Sequence, residues 1–462
     1  MKRSLLLLVG CLMAVVCAMA QDNQSQVRVL TFEEAVKIAL QNSVLLNQQK
    51  NNLEFSQMQK MAAYVGAGPS INAQSQIFRS NGNRFNANQG EVVNGTFDGA
   101  SASATANLTL FSGFSQLNTI RQFTKALEAQ SYFVNRTAQD AINTVATQYL
   151  TVMRDVELLI IAQKNFAALD KQLEQVKEMV SLGSRSPVDE YNQDALTKAA
   201  ELRMVQAEIT LNNDKTLLQQ TLLLDPFEEF TVEAPNWDVN AMSSETLNIE
   251  ELADRAKGFR GDYLRSVRSE EALRFATKAA RGGYFPSIGA SASLSTAWNF
   301  THGVDPASDD YPRPFRTQFL EDNVQKSIGV GINIPILNGF QQRQFVTQTR
   351  INYENQKITT RNLEFQIKND VIRTVRNFEG AKKAFAVTTR QLEAADLAYQ
   401  FETERYALGV TNFVEFTNAN RVLVQAQTDK ASAEYTLVFQ KILLEYAVGT
   451  LKPEDVAATT NK

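Results

Sequence analysis

The most constraining feature of the chain is an internal duplication. Two pairs of segments match at an offset of 217 residues: Leu30–Glu34 with Leu247–Glu251, and Pro69–Ile71 with Pro286–Ile288. Two later pairs match at an offset of 226: Gly113-Phe114 with Gly339-Phe340, and Leu182-Gly183 with Leu408-Gly409. A period this long indicates two copies of one structural unit rather than a solenoid of short repeats. The register changes once, by 226 − 217 = 9 residues, so one loop differs in length between the halves.

The first 20 residues have the features of a secretory signal peptide. A basic Lys2-Arg3 start precedes an apolar run, and Ala18-Met19-Ala20 is a small-x-small cleavage site. The apolar run is too short to span a bilayer as a helix. A lipoprotein signal is the alternative, because Leu8-Val9-Gly10-Cys11 resembles a lipobox, and lipidation at Cys11 stays open at this point.

Composition excludes several classes of function for the mature chain. Both cysteines, Cys11 and Cys17, lie in the signal peptide, which leaves no disulfide framework and no thiolate metal site. Without Lys2 and Arg3 there are 44 basic and 50 acidic residues, a net charge of −6 that disfavours a nucleic-acid partner. His302 is the only histidine, and the chain has no Gly-rich phosphate loop and no helical carboxylate pair at metal-ligand spacing. We therefore expect no enzyme, no metal site and no cofactor.

Four segments alternate apolar and polar residues with a period of two. The clearest runs from Ala100 to Leu110, where Ala and Leu at even positions alternate with Ser, Thr and Asn. The predicted strands cover about residues 69–80, 99–111, 286–298 and 327–337. A tilted strand of ~9–11 residues with an apolar outer face and small polar inner residues suits a membrane barrel. The alternative is the half-buried sheet of a soluble sandwich, although four strands are few for either architecture.

Loops and helices fill the rest of each half. Residues 80–99 and 299–326 are rich in Asn, Gly, Asp and Pro and are predicted to be loops. Proline-free helices are predicted at about 114–182 and 340–408, and apolar residues with a mean spacing of 3.5 favour coiled-coil packing. Shorter helices return over about 188–224 and 413–448. The resulting division is a first repeat at 21–224, a linker at 225–246, a second repeat at 247–450 and a tail at 451–462.

The strands and helices together predict an assembly. A four-stranded sheet in a membrane has two unpaired edges, which hydrocarbon does not tolerate, so the edges must pair with other copies. Three copies supply 12 strands, enough for a barrel with an open lumen. The predicted fold class is an α+β membrane protein, with a duplicated β-hairpin and long coiled-coil helical hairpin. Its homotrimer would form a 12-stranded barrel continued by an α-helical tunnel.

The repeated motifs, in this order along the chain, resemble those of the outer-membrane efflux protein family of TolC-like channels. The resemblance covers essentially all of the mature chain. The resemblance rests on the duplication, the Thr31–Ala35 opening, the two Gly-Phe joints, and the tip segments Leu182–Asp189 and Tyr406–Glu415. It implies a homotrimer in the lipid of the bacterial outer membrane, with the helical part in the periplasm. It also implies docking onto a periplasmic adaptor (a membrane fusion protein) and drainage of an inner-membrane transporter.

The same resemblance suggests residues that set the aperture of such a channel. It places a periplasmic constriction near the helical tips, and the matching positions are Asp189, Glu415, Tyr406 and Asn418. The chain departs from the family pattern where Thr411 replaces a basic link partner and where Asn418 replaces a second acid. Asp189 and Glu415 have an alternative role as carboxylates that interact with a helix N-terminus. Candidate adaptor contacts are the tip residues Leu182, Gly183, Ser184, Leu408, Gly409 and Val410.

Three functions stay open from the sequence. The first is the exit channel of a tripartite efflux system. The second is the exit duct of a type I protein secretion system, because the pump rather than the duct selects the cargo. The third is a soluble periplasmic coiled-coil scaffold, which accounts for the helices but leaves the four alternating strands unexplained.

Overall fold

The computed structural model describes residues 28–86, 90–233, 237–245, 247–307 and 311–451. The predicted signal peptide, Cys11 and nearly all of the predicted tail lie outside these ranges. The first half contains β1 (Arg28–Leu30), α1 (Phe32–Asn42), α2 (Val44–Val65), β2 (Ser70–Asn86), β3 (Glu91–Ser112), α3 (Ser115–Ser181) and α4 (Pro187–Leu222). Between the halves lie β4 (Phe230–Val232) and α5 (Val239–Ser244). The second half contains α6 (Ile249–Phe259), α7 (Gly261–Gly282), β5 (Ser287–Thr301), α8 (Phe315–Thr317) with a π-helical turn (Gln318–Asp322), β6 (Gln325–Asn333), α9 (Gln341–Ala407) and α10 (Phe413–Val448).

The chain divides into two compact units. Within the described residues, the sheet unit comprises Asn51–Tyr132 and Tyr263–Leu363, and the helical unit comprises 28–50, Phe133–Asp262 and 364–451. None of the helices in the described ranges combines the length and the apolar character that crossing a bilayer would require.

The sheet unit contains one antiparallel sheet with the strand order β2-β3-β5-β6. Cross-strand register places an apolar row and a polar row on opposite faces: Ile71, Ala106, Ala292 and Ile328 on one, and Asn72, Thr105, Ser293 and Ser327 on the other. The side chain of Ile328 is 90% exposed. The predicted alternation is therefore present in the sheet, and in this single chain the apolar face is exposed around Ile71 and Ile328.

The prediction of a loop from Ser80 to Gly99 is wrong. β2 continues to Asn86 and β3 begins at Glu91, so the hairpin is longer than the apolar alternation suggested. Polar side chains pair across this extension: Arg79 Nε lies 2.6 Å from Asp98 Oδ1, and Asn94 Nδ2 donates to Asn83 Oδ1 at 2.7 Å. Cross-strand ion pairs and hydrogen bonds stabilise a hairpin as apolar pairs do, and they give no period-two hydrophobic signal.

The last two strand boundaries also differ from the predictions. β5 continues to Thr301, and the predicted strand at 327–337 is β6, which begins at Gln325 and ends at Asn333. Pro335 explains the early end, because proline cannot donate a hydrogen bond to a strand ladder. The predicted loop at 299–326 includes α8 and the π-helical turn.

Each long helix is immediately preceded by two residues with left-handed backbone. Gly113 and Phe114 have φ of 61° and 62°, and Gly339 and Phe340 have φ of 59° and 63°. A phenylalanine rarely adopts this conformation, so its presence at both joints indicates that the duplicated geometry is imposed by the surrounding structure. The Gly-Phe pairs of the sequence therefore mark a specific strand-to-helix turn.

The linker predicted at 225–246 is less irregular than expected. β4 within it pairs in parallel with β1, with Arg28 opposite Phe230 and Leu30 opposite Val232. The buried Tyr149 of α3 fixes this small sheet, because its hydroxyl lies 2.8 Å from the Leu30 carbonyl oxygen and 2.7 Å from that of Glu233. Neither three-residue strand is long enough to show a hydrophobic period, which is why both were missed.

The predicted coiled-coil stripe forms the core of the helical unit. Phe378 and Tyr406 are buried, and the intervening Phe385, Leu392 and Tyr399 pack against buried clusters. In α3 the buried residues Val145, Tyr149 and Val152 belong to a larger core shared with α4 and α10. The heptad positions thus face other helices, as a coiled-coil pattern predicts.

One buried carboxyl in α3 makes stability dependent on pH. Asp155 is 2% exposed, and burial followed by a hydrogen bond with the Asp214 carboxyl raises its pKa from 3.8 to about 6, against the lowering effect of Arg154. A carboxyl with a raised folded-state pKa stabilises the fold below about pH 4, and that contribution is lost as pH rises through 6.

We expect Asp155→Asn to raise stability at pH 7.5 by about 1–3 kcal/mol and to flatten the decline in stability between pH 4 and 7. Thermal unfolding in detergent across this pH range measures both effects. Asp170→Asn is the control, because Asp170 is an exposed residue of the same helix. Equal pH slopes in Asp155→Asn and the parent would contradict the assignment.

Candidate functional site

The two helical tips of the chain have the same backbone geometry. Gly183 and Gly409 have φ of 74° and 73°. The Ser184 N–H donates to the Met179 carbonyl at 2.9 Å, and the Val410 N–H donates to the Arg405 carbonyl at 2.9 Å. These are Schellman C-caps, in which a left-handed residue lets the chain close the last helical turn on itself. Both glycines, named above as candidate adaptor contacts, therefore have a structural role in closing the tip turns.

The return helices begin with side-chain caps. Ser186 Oγ accepts from the Val188 N–H at 3.2 Å, and Asn412 Oδ1 accepts from the Glu415 N–H at 3.0 Å. Asp189 and Glu415 therefore lie in first helical turns, where a carboxylate interacts favourably with the helix N-terminus. This placement fits the alternative considered for both residues and leaves their side chains available to line a passage.

Tyr406 is the centre of an aromatic cluster beneath the tips. Its side chain is 5% exposed, and its ring stacks on the buried Phe416 at 5.0 Å between centroids. Phe413 and Tyr399 complete the cluster, at 6.2 Å from Tyr406 and 5.8 Å from Phe416 respectively. Burial raises the pKa of the Tyr406 hydroxyl, Arg185 lowers it, and the Asp189 charge raises it. The hydroxyl is thus neutral at physiological pH.

Arg185 connects the two tips. Its guanidinium carbon lies 4.2 Å from the centroid of the Tyr406 ring, and its Nη2 donates to the Tyr406 carbonyl oxygen at 3.1 Å. A cation over an aromatic face and a charge-assisted hydrogen bond act on the same residue. One side chain of the first tip therefore contacts the C-terminal end of α9 in the second half.

The structure brings together only part of the predicted constriction set. Asp189 lies near enough to Tyr406 for its charge to raise the pKa of the Tyr406 hydroxyl. Glu415 and Asn418 are exposed on α10, and Asn418 accepts a hydrogen bond from Arg421 Nη2 at 2.9 Å. Within one chain these two do not join the Arg185–Tyr406 contact.

Sequence reasoning missed Arg185. It lies inside the tip segment Leu182–Asp189, whereas the family resemblance places the basic link partner at the position of Thr411. Because Thr411 is not basic, the presence of Arg185 in the other tip was the sequence feature that could have indicated this contact. In the described chain the basic contact to Tyr406 comes from the other half of the duplication.

The outermost tip residues are apolar and exposed. Leu182 is 76% exposed and Leu408 is 79% exposed, and Val410, Val188 and Val414 are also largely exposed. A Cβ placed on Gly183 would have nothing within 4 Å, and the same is true of Gly409. Each tip is therefore a capped, self-contained turn that presents aliphatic side chains.

Comparison with known proteins identifies the family. The family model described as "Outer membrane efflux protein" matches residues 35–222 and 264–450, which is most of the chain. The chain belongs to the outer membrane efflux protein family. The two matched stretches fall within the two repeats predicted from the duplication, and the predicted resemblance is confirmed.

Individual relatives agree with this membership. The chain is 24% identical over 336 residues to the outer membrane protein TolC of Vibrio cholerae, which is 72% of each chain. It is 22% identical over 379 residues to the pyoverdine export outer membrane protein OpmQ of Pseudomonas aeruginosa, covering 80% of this chain and 75% of that one. Among solved structures, CusC superposes with a TM-score of 0.76 at 16% identity, covering 93% of this chain and 95% of its own.

The membership settles the coarse predictions. The chain is an outer-membrane efflux channel protein with its helical part in the periplasm, and its family consists of channels rather than enzymes. The predicted α+β fold with long helices is confirmed, and a single chain leaves both sheet edges open, so that barrel closure in this fold comes from the trimer. The soluble scaffold is excluded for this chain.

Proposed function

We propose that the protein is the exit duct of a tripartite efflux system. Three copies form the duct, a periplasmic adaptor holds its helical tips, and an inner-membrane transporter delivers the substrate. The observation that carries the proposal is the pair of matched tips, each capped by its own backbone and exposing aliphatic residues such as Leu182 and Leu408. Exposed apolar groups on a rigid turn are typical of a surface that a partner covers.

The adaptor contact follows from the duplication. Each chain has two tips of the same geometry, so a trimer presents six similar grooves to a partner with repeated hairpins. The candidate contacts are the six tip residues predicted from the sequence: Leu182, Gly183, Ser184, Leu408, Gly409 and Val410. Ser184 and Val410 occupy equivalent C-cap positions, which makes them a matched pair for a test.

We expect cysteine at Ser184 or Val410 to crosslink to the co-expressed adaptor when a short bifunctional reagent is added to cells. The background is clean, because the mature chain is predicted to contain no cysteine. Lys383→Cys is the control, since Lys383 is an exposed residue within α9 and far along the chain from either tip. Mass-resolved immunoblots would show the adduct. Adducts with Lys383→Cys and none with cysteine at either tip would contradict the proposal that the tips bind the adaptor.

We also propose that the tips form the periplasmic constriction. Asp189 and Tyr406 are held near the Arg185 contact, and Glu415 and Asn418 are exposed on the adjoining helix. A carboxylate repeated around a three-fold axis would favour cations in the passage. In this proposal Arg185 restrains the helical pairs, while Glu415 contributes charge to the aperture.

A further inference from the structure

A segment of the sheet unit folds back over the apolar face of the sheet. It comprises residues 311–323 and is called the outer segment below. The Thr296 hydroxyl donates to the Phe319 carbonyl at 2.6 Å, and Asn323 Nδ2 donates to the Ala297 carbonyl at 2.7 Å. The Gln318 side chain bonds both backbone groups of Asn299, each at 3.1 Å. These contacts replace the ladder that β6 would supply, because β6 pairs with β5 only as far as Ser295.

An apolar groove lies between the outer segment and the sheet. Its volume is about 480 Å³, within the range of small-molecule sites. The walls include one side of the sheet and the underside of the outer segment: Ala102, Ala104, Leu294, Phe319, Leu320 and Val324. Ala102, Ala104 and Leu294 belong to the apolar rows, so the groove opens on the face that carries Ile71 and Ile328. Gln74, Ser103 and Ser295, which belong to a polar row, also contribute to its lining.

That face is the one an outer-membrane protein turns toward lipid, because apolar side chains must meet the hydrocarbon. Aromatic residues lie beside the groove, with Trp298 5.5 Å from Phe315 and Phe315 4.8 Å from Phe319 between ring centroids. Aromatic clusters of this kind concentrate at the boundary between hydrocarbon and headgroups. The groove therefore lies at the depth in the membrane where the acyl chains of a lipid meet its headgroup.

Two cations neighbour residues that line the groove, one by strand register and one along the chain. Lys326 is in register with Leu294 on the neighbouring strand and shares its face, and Arg316 is one helical turn before Leu320. Neither forms an ion pair with any residue in the described ranges, whereas Arg313 is paired with Asp322 at 3.1 Å. Glu321 is the other acidic residue of the outer segment. Cations at an apolar groove match a ligand with an acyl chain and an anionic headgroup.

We propose that this groove binds one acyl chain of an anionic lipid of the membrane, with the lipid phosphate held at Lys326 and Arg316. Residues of β2, β3 and β5 of a single chain line the groove, and Lys326 lies on β6. The proposal rests on the outer-membrane location and not on adaptor docking, so each can fail without the other.

Trp298 reports on the groove. We would reconstitute the full-length trimer carrying Trp237→Phe, which leaves Trp298 as the only tryptophan, into phosphatidylcholine vesicles. One series contains phosphatidylglycerol with dibrominated acyl chains, and the other contains dibrominated phosphatidylcholine at the same mole fraction. Bromine quenches indole fluorescence at short range. The expected result is stronger quenching by the anionic lipid, with an affinity preference of about fivefold for each cation near the surface.

Two substitutions distinguish a bound lipid from bulk bilayer. Lys326→Gln should reduce the preference for the anionic lipid, and Ala104→Leu should reduce quenching by filling the groove. Ala106→Leu is the matched control, because Ala106 lies on the same strand and face outside the groove lining. Equal quenching by the two lipids in the parent, or quenching unchanged by Lys326→Gln and Ala104→Leu, would overturn the proposal. Absence of quenching by either lipid would do so too, since protein would then cover the groove.

Discussion

Replacing Gly113 with alanine is expected to prevent most of the protein from reaching a stable trimer. Gly113 has a φ of 61°, where an alanine costs about 1–2 kcal/mol. A Cβ at this position would also lie 2.3 Å from the Gly282 carbonyl oxygen and 2.8 Å from Phe285 Cβ. Gly282 ends α7 and Phe285 lies in the turn that follows, and neither a backbone oxygen nor a Cβ atom can rotate away. We expect a total cost of about 4 kcal/mol or more, at the upper end for point substitutions.

The duplication supplies a matched control for this prediction. Gly339 has almost the same φ, at 59°, but nothing lies within 4 Å of a Cβ placed there. Gly339→Ala should therefore cost only the conformational term of about 1–2 kcal/mol. The amount of heat-modifiable trimer in outer-membrane fractions, and its melting temperature in detergent, measure the difference. If both substitutions reduced the amount of trimer and its melting temperature equally, the contact of the new Cβ with Gly282 would not be the cause of the loss at Gly113.

Replacing Arg185 with alanine is expected to open the periplasmic end of the channel. The substitution removes a cation–π contact of about 0.5–2 kcal/mol and a charged hydrogen bond of about 1.5–3 kcal/mol. Both act on Tyr406 and so favour the arrangement in which the two tips are tied together. Because about 1.4 kcal/mol corresponds to a factor of ten, we expect the open population to rise tenfold or more. Single-channel recording in planar bilayers measures this change.

Two variants give this experiment its specificity. Arg185→Lys retains the charge but loses the planar group that stacks on the ring, so an intermediate effect is expected. Arg421→Ala is the control, because Arg421 bonds to the exposed Asn418 and makes no such link to Tyr406. Parent-like conductance in a well-folded Arg185→Ala trimer would show that the tie does not restrain the aperture.

The duplication and the two hydrophobic periods made most of the fold predictable. The period of two located the sheet because apolar residues alternate with polar ones from Ile71 to Ile77, from Ala100 to Leu110, from Ile288 to Leu294 and from Ile328 to Ile332. The spacing of about 3.5 located the long helices because their cores are continuous. Glycines at Gly183 and Gly409 located the tips because the C-cap requires a left-handed residue.

The parts that escaped prediction depend on contacts distant in sequence. β1 and β4 form because they hydrogen-bond to each other and because the Tyr149 hydroxyl bonds to the Leu30 carbonyl. A strand of three residues is too short to show a hydrophobic period. The hairpin beyond Ser80 is stabilised by polar pairs such as Arg79 with Asp98, which in sequence look like a loop. Arg185 was missed because its partner Tyr406 lies in the other half of the chain. In each case a polar contact between distant residues decides the structure.

The most direct test of the trimeric duct is a crosslink across the open edges of the sheet. We predict that β2 of one copy pairs with β6 of the next, which closes three four-stranded sheets into one barrel. Gln74→Cys would be combined in turn with Ser327→Cys, Gly329→Cys and Gly331→Cys, all on the polar face. Oxidation in intact outer membranes should give, in at least one pairing, a covalent product of three chains on a denaturing gel. Only monomers in all three pairings, from protein that is folded in the outer membrane, would contradict the trimeric duct.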